Sequence, residues 1–149
     1  MPVSKPEAHP PGDHSHGAAE VALTPGRRRI LEMLEHAGQP LGAYEMIDLI
    51  AAKTGKRPAP VSVYRALDFL VEHGLAHRLA SRNAFMACGH GHESADPVAF
   101  LICDTCGLVQ EKTSDSMRLS LDAVADDAGF SARDQVIEVT GTCATCKAA

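Results

Sequence analysis

Pro60-Val61-Ser62-Val63-Tyr64-Arg65-Ala66-Leu67-Asp68-Phe69-Leu70 is the run that decides how the first half of the chain is built. Val63, Leu67, Leu70 and Val71 stand at i, i+4, i+7 and i+8, the spacing of one buried helical stripe. A helix is therefore predicted over residues 60–73, with Gly74 as its stop. Ser62, Tyr64, Arg65 and Asp68 fall toward solvent in its first two turns. Upstream, Thr24-Pro25 is a cap followed by proline at the first helical position, and Ile30, Leu31, Leu34 and Ala37 follow at helical spacing up to Gly38. Gly42 leads into a second helix carrying Met46, Ile47, Leu49 and Ile50, which ends near Gly55. Downstream the period changes. Leu75-Ala76-His77-Arg78-Leu79 and Ala84-Phe85-Met86-Ala87-Cys88 read as two strands, and residues 80–83 are a hairpin-sized link.

Three helices followed by a hairpin is the order of a winged helix-turn-helix. In that arrangement the first turns of the third helix meet base edges. Ser62, Tyr64 and Arg65 are thus candidate DNA readers, because Arg pairs with guanine and Tyr reaches a phosphate or a thymine methyl. Arg27, Arg28, Lys56 and Arg57 are candidates to neutralise flanking phosphates. A merely solvated amphipathic helix is the plainer alternative.

The second half has a different grammar. Residues 98–103 form a strongly apolar strand and residues 108–110 a second one. Residues 117–128 read as a helix with Leu121, Val124, Ala125 and Ala128 on one face, and residues 136–139 as a third strand. The fold class expected is α+β: an N-terminal winged helix-turn-helix followed by a small α+β module. Residues 1–22, with four prolines and three histidines (His9, His14 and His16), have too little apolar content to offset ordering entropy and read as a disordered tail.

A length of 149 residues suits one ordinary domain or two small ones. Aromatic residues are 4% and tryptophan is absent, so the core is expected to be aliphatic. The net charge of −5 does not advertise nucleic-acid binding, but it is unevenly spread. Residues 24–88 hold nine basic and six acidic side chains, whereas residues 89–149 hold four and ten, which suggests two modules with different partners. No stretch approaches a membrane span, and the N-terminal residues lack the apolar region of a secretory signal, so a cytoplasmic protein is expected. Five cysteines in a reducing compartment argue for metal or catalysis over a disulfide framework.

Cys103-x-x-Cys106 and Cys143-x-x-Cys146 are the strongest chemical signal. A Cys-x-x-Cys turn places two thiolates on one side of an ion, and two such turns close a tetrahedral zinc site with no open position. The expected role is therefore structural. Redox dithiols and unrelated buried thiols are the rival readings, but a redox pair is expected beside a βαβ pattern that is missing. Cys88 is left over, in Cys88-Gly89-His90-Gly91-His92-Glu93. With His77 on the partner strand and Glu111 after the first knuckle, it could form a second, mixed-ligand site that suits Zn²⁺ and straddles both modules. A half-buried Cys88 beside a polar loop is the alternative.

These features together resemble the ferric uptake regulator family of metal-sensing bacterial repressors. The matching stretches are Leu23-Thr24-Pro25-Gly26-Arg27, Val61-Ser62-Val63-Tyr64-Arg65-Ala66-Leu67, Phe100-Leu101-Ile102-Cys103-Asp104-Thr105-Cys106-Gly107, and Val136-Ile137-Glu138-Val139 before Gly141-Thr142-Cys143-Ala144-Thr145-Cys146. Within the family the chain is most similar to the zinc-sensing branch, on the cue of Leu75-Ala76-His77 with Cys88. The resemblance implies a disordered tail at 1–22, a winged-helix DNA-binding domain at 23–89, a metal-binding hinge loop at 90–97 and a dimerisation domain with structural zinc at 98–149. It implies one structural zinc on Cys103, Cys106, Cys143 and Cys146, and one regulatory zinc on His77, Cys88 and Glu111 plus a loop residue. His92, then His90, are the candidates for that fourth ligand, with Asp96 as a possible oxygen donor. It further implies a cytoplasmic repressor, not an enzyme. Zinc-loaded homodimers are expected to bind double-stranded operator DNA, away from any membrane, and to shut off zinc-uptake genes. A relative that senses iron or manganese is the nearest alternative. A zinc hydrolase is disfavoured because no second carboxylate base and no His-Glu-x-x-His pattern accompany His77, Cys88 and Glu111. A zinc-stabilised adaptor for protein partners is the remaining class.

Overall fold

The computed structural model describes residues 21–89, 97–133 and 135–149. Of the predicted tail, residues 1–20 with their three histidines lie outside that range, as do His90, His92 and Asp96 of the predicted hinge loop. The first helix, α1 (Pro25–Ala37), starts where the cap predicts: the Thr24 hydroxyl accepts the Arg27 N–H at 3.4 Å, and Gly38 closes the helix in the left-handed region. Next come a two-residue strand β1 (Leu41–Gly42), α2 (Ala43–Thr54) and α3 (Pro60–Glu72). Gly74, at φ 68°, lets the chain leave α3 by a tight turn in which the Leu75 N–H returns to the Leu70 carbonyl at 2.8 Å. Strands β2 (Ala76–Leu79) and β3 (Ala84–Ala87) then form the wing, joined by one turn of 3₁₀ helix over Ala80–Arg82.

Ile30, Leu34, Met46, Ile47, Leu67 and Leu70 fill the core between the three helices, and Ala76 and Phe85 of the wing complete it. One expectation needs correction: Val71, at the last turn of α3, is exposed, and the buried stripe is Val63, Ala66, Leu67 and Leu70, the i, i+3, i+4 and i+7 positions of one helix face. Strand β1 was not foreseen: two residues show no period, and only pairing of Leu41 with Phe85 and Gly42 with Ala84 makes them a strand.

The second module is a three-stranded sheet in the order β5-β4-β6, made of β4 (Val98–Cys103), β5 (Val109–Lys112) and β6 (Val136–Gly141). Strand β4 runs antiparallel to β5 and parallel to β6. Helix α4 (Asp115–Asp127) is the crossover, capped by the Ser114 hydroxyl on the Met117 N–H at 3.1 Å. Val98, Phe100 and Ile102 of β4 pack with Leu79 of the wing in a second core, so sheet and wing share one apolar contact. The predicted apolar face of α4 is not buried within the protomer. Leu121 and Ala125 are half-buried, while Val124 is 69% exposed, with Leu119 and Phe130 similarly bare. Among the described residues nothing covers that face. Large apolar side chains left bare in this way are the kind of surface an interface buries.

Candidate metal centres and nucleic-acid interface

The parallel register of β4 and β6 explains how two knuckles 40 residues apart meet. Cys103 pairs with Gly141 at the same end of the two strands, and the Asp104 N–H donates to the Gly141 carbonyl at 2.8 Å. Gly107, at φ 78°, turns the chain back so that its N–H reaches the Cys103 carbonyl at 3.0 Å. The second knuckle continues into a short helix, α5 (Ala144–Lys147), which the sequence did not signal. The four sulfur atoms of Cys103, Cys106, Cys143 and Cys146 lie within 4.8 Å of one another.

The Cys106 and Cys143 sulfurs are 3.7 Å apart. That is far beyond a disulfide bond of ~2.05 Å. It matches the edge of a tetrahedron with legs of ~2.3 Å, which is roughly 3.8 Å. Electrostatics favour the same reading. The Cys143 N–H, at 3.3 Å from the Cys103 sulfur, leads the main-chain hydrogen bonds that lower the Cys103 thiol to about 6. Hydrogen bonding from the Cys143 and then the Cys106 sulfur pushes Cys146 up to about 12. The cluster holds its first negative charge readily and resists its last. Four thiolates at one point need a cation, and this soft, closed donor set fits zinc.

The second cluster is built from three strands' ends. His77 is the second residue of β2. Cys88 follows β3, held by its N–H on the Leu75 carbonyl at 3.0 Å. Glu111 lies on β5 opposite Phe100 of β4. Phe100 also sets the edge of its ring against His77, 5.1 Å between centroids and 62° between planes. The imidazole Nε2 then stands 3.7 Å from a Glu111 oxygen, with the two side chains only 14% and 9% exposed. Ligand atoms of His77, Cys88 and Glu111 lie within 4.8 Å of one another. A thiol, an imidazole and a carboxylate converging at low exposure fit a tetrahedral zinc with one position left for a further donor. Gly89 lies against this set: a Cβ there would stand 3.9 Å from the Glu111 carboxylate.

On the other side of the first module, Ser62, Arg65 and Asp68 are exposed at the start of α3. Tyr64 is not: it is half-buried and packs against the first core. A cavity of about 350 Å³ opens between α1 and α3, bordered by Thr24, Arg27, Arg29, Ser62 and Arg65. Two of the predicted phosphate contacts already have partners in the chain. The Arg27 guanidinium lies 3.5 Å over the Phe69 ring, and Arg57 donates to Asp48 at 2.6 Å. Arg82 and Glu138, which no motif in the sequence marks, join wing to sheet. The available signal was a glutamate on an otherwise apolar strand.

Residues 18–140 match the Ferric uptake regulator family. The chain is 35% identical over 126 residues to the zinc uptake regulation protein of Escherichia coli (strain K12), covering 85% of this chain and 73% of that relative. It superposes with a TM-score of 0.79 on a zinc uptake regulator complexed with zinc and DNA, at 34% identity and with 87% and 86% of the two chains covered. Holo XcZur gives a TM-score of 0.75 at 42% identity, covering 85% of this chain and 87% of its own.

Proposed function

This chain belongs to the ferric uptake regulator family, and on that premise we propose that it is a zinc-responsive transcriptional repressor that binds operator DNA as a zinc-loaded homodimer and shuts off zinc-uptake genes. Cys103, Cys106, Cys143 and Cys146 hold a structural zinc, and His77, Cys88 and Glu111 hold a regulatory one, completed by His92, His90 or Asp96. The observation that carries the reading is where the second set sits: His77 and Cys88 come from the wing and Glu111 from the sheet, with their donors within 4.8 Å. Zinc bound there supplies the positive charge that lets three donors from two modules share one point. The residues do the rest. Phe100 packs its ring against His77 and is the register partner of Glu111, and with Leu79 and Ile102 it forms the apolar contact between wing and sheet.

With the modules drawn together, the two third helices of a dimer present Ser62, Tyr64 and Arg65 at a fixed separation to two half-sites. An ion biases that arrangement only through its greater affinity for it. The exposed apolar residues Leu119, Val124 and Phe130 offer apolar surface for a second copy to cover, and residues 98–149 are read as the dimerisation domain and residues 23–89 as the reading head. No helix among the described residues is long and apolar enough to cross a membrane. The working place proposed is the cytoplasm, beside the DNA.

The deciding experiment is a gel shift with upstream DNA of zinc-uptake genes. Binding with zinc, its loss with chelator and poor rescue by Fe²⁺ or Mn²⁺ are expected. Equal rescue by iron or manganese moves the chain to a sister regulator, and binding indifferent to chelator ends the regulatory reading. Metal analysis is expected to find two zinc ions per monomer, falling to one after mild chelation, because the closed thiolate site releases its ion more slowly than the mixed one. A single ion, or two lost together, counts against two distinct sites. Arg65→Ala is expected to weaken operator binding by about 1–3 kcal/mol and relax the preference at one base pair. A changed salt slope with base preference intact makes Arg65 a phosphate contact instead.

A further inference from the structure

Wing and sheet touch at a second place, on the far side of Phe100 from the mixed metal set. In the sheet register Phe100 of β4 pairs with Glu111 of β5 on one side and with Glu138 of β6 on the other. Residues at one level of a sheet share a face, so both glutamates look toward the wing with Phe100 between them. Glu111 meets His77. Glu138 meets the wing turn: one carboxylate oxygen accepts the Ala80 N–H at 2.7 Å and the other the Ser81 N–H at 3.1 Å. Burial alone would raise the Glu138 carboxyl, but hydrogen bonds from the Ser81 hydroxyl and the Ala80 and Ser81 N–H groups outweigh it and hold it below its ordinary value. The next residue of the same turn, Arg82, donates to the Cys103 carbonyl at 3.0 Å and lies 3.9 Å from the Asp104 carboxylate, both in the first knuckle.

We propose that Glu138, aided by Arg82, is a positioning residue for operator binding, a fixed clasp that holds the wing turn on the sheet so that the mixed metal set at the other end of the row sets a single domain angle. One attachment between two bodies is a pivot; two attachments on either side of Phe100 define an orientation. None of these contacts uses a donor of the regulatory set, so the clasp adds to what that set contributes. The arrangement that contains it is the one that superposes on a zinc- and DNA-bound relative over 87% of the chain, wing and sheet together.

The inference rests on the regulator reading above, and its test separates the two. Full-length dimer is titrated with buffered free zinc in the presence of a duplex that the zinc-loaded wild type selects from a random library. Glu138→Ala is expected to raise the zinc concentration for half-maximal DNA binding by roughly 10-fold, within the range of ordinary inter-site coupling. Glu138→Gln, which keeps one acceptor, falls between it and wild type. Arg82→Ala shifts the midpoint in the same direction. Dimer and four-cysteine zinc stay in place. Wild-type midpoints in both Glu138 variants overturn the clasp. So does loss of DNA binding at every zinc level together with the four-cysteine zinc, since Glu138 is then a folding residue. If the wild type selects no duplex in a zinc-dependent way, the regulator reading fails on its own, and amide exchange at Ala80 and Ser81 still decides the clasp: faster exchange in Glu138→Ala supports it and equal exchange refutes it.

Discussion

Replacing Cys88 by serine is expected to reduce operator binding in zinc to the level found with chelator, a loss on the order of 100-fold, near the upper end of coupling between two sites. The substitution is nearly isosteric, but a serine hydroxyl stays protonated at neutral pH and is a poor zinc ligand, whereas the thiolate is a strong one. The fold around it has no reason to fail. Cys88 is held by its main-chain N–H on the Leu75 carbonyl, and that bond survives the change. The variant should therefore remain a dimer and carry one zinc instead of two. Fluorescence anisotropy against free zinc, with metal analysis of the same sample, reads both quantities. A serine variant that still tightens on its operator when zinc is added removes Cys88 from the sensing site.

The second large effect belongs to the other cluster and has the opposite character. Cys143→Ser is expected to release the structural zinc, dissociate the dimer and lower the thermal midpoint by more than about 10 °C, because one ion of this type contributes roughly 10–16 kcal/mol to the fold it closes. Thr142 to the C-terminus is almost entirely exposed or half-exposed, so no apolar contact substitutes for the lost bonds. The exposed Val136 and Val139 lie on β6, the strand that this knuckle ties to β4. Sedimentation velocity and a melting curve measure the outcome. A stable dimer with an unchanged midpoint would mean that the four thiols are not a structural site. The two cysteine variants thus separate the ions: one change silences the response and spares the assembly, the other takes the assembly with it.

Much of this is legible in the sequence. The caps of α1 and the apolar stripe of α3 are local properties, set within a few residues, and they place both helices within one residue of their observed ends. The four-cysteine cluster was also legible, because metal ligation leaves a spacing that few other pressures produce. Less visible were features whose cause lies far along the chain. β1 is a strand only through Phe85 and Ala84. Tyr64 turned out half-buried because the first core reaches around its helix face. The helix over residues 115–127 has its apolar side in the sequence, but within one protomer that side is bare.

Periodicity, capping residues and ligand chemistry act over short range, so the main helices and strands and the donor types were set locally, whereas β1 and α5 were not. Which donors come together was decided by tertiary structure, since convergence depends on strand register. The parallel pairing of β4 with β6 brings Cys103 level with Gly141, and the levels of β5 and β6 put Glu111 and Glu138 on either side of Phe100. A one-residue slip would turn both glutamates to the opposite face. Spacing along a chain carries no record of register, and so no motif in the sequence separates Glu138 from any other strand residue; its contact with the wing does.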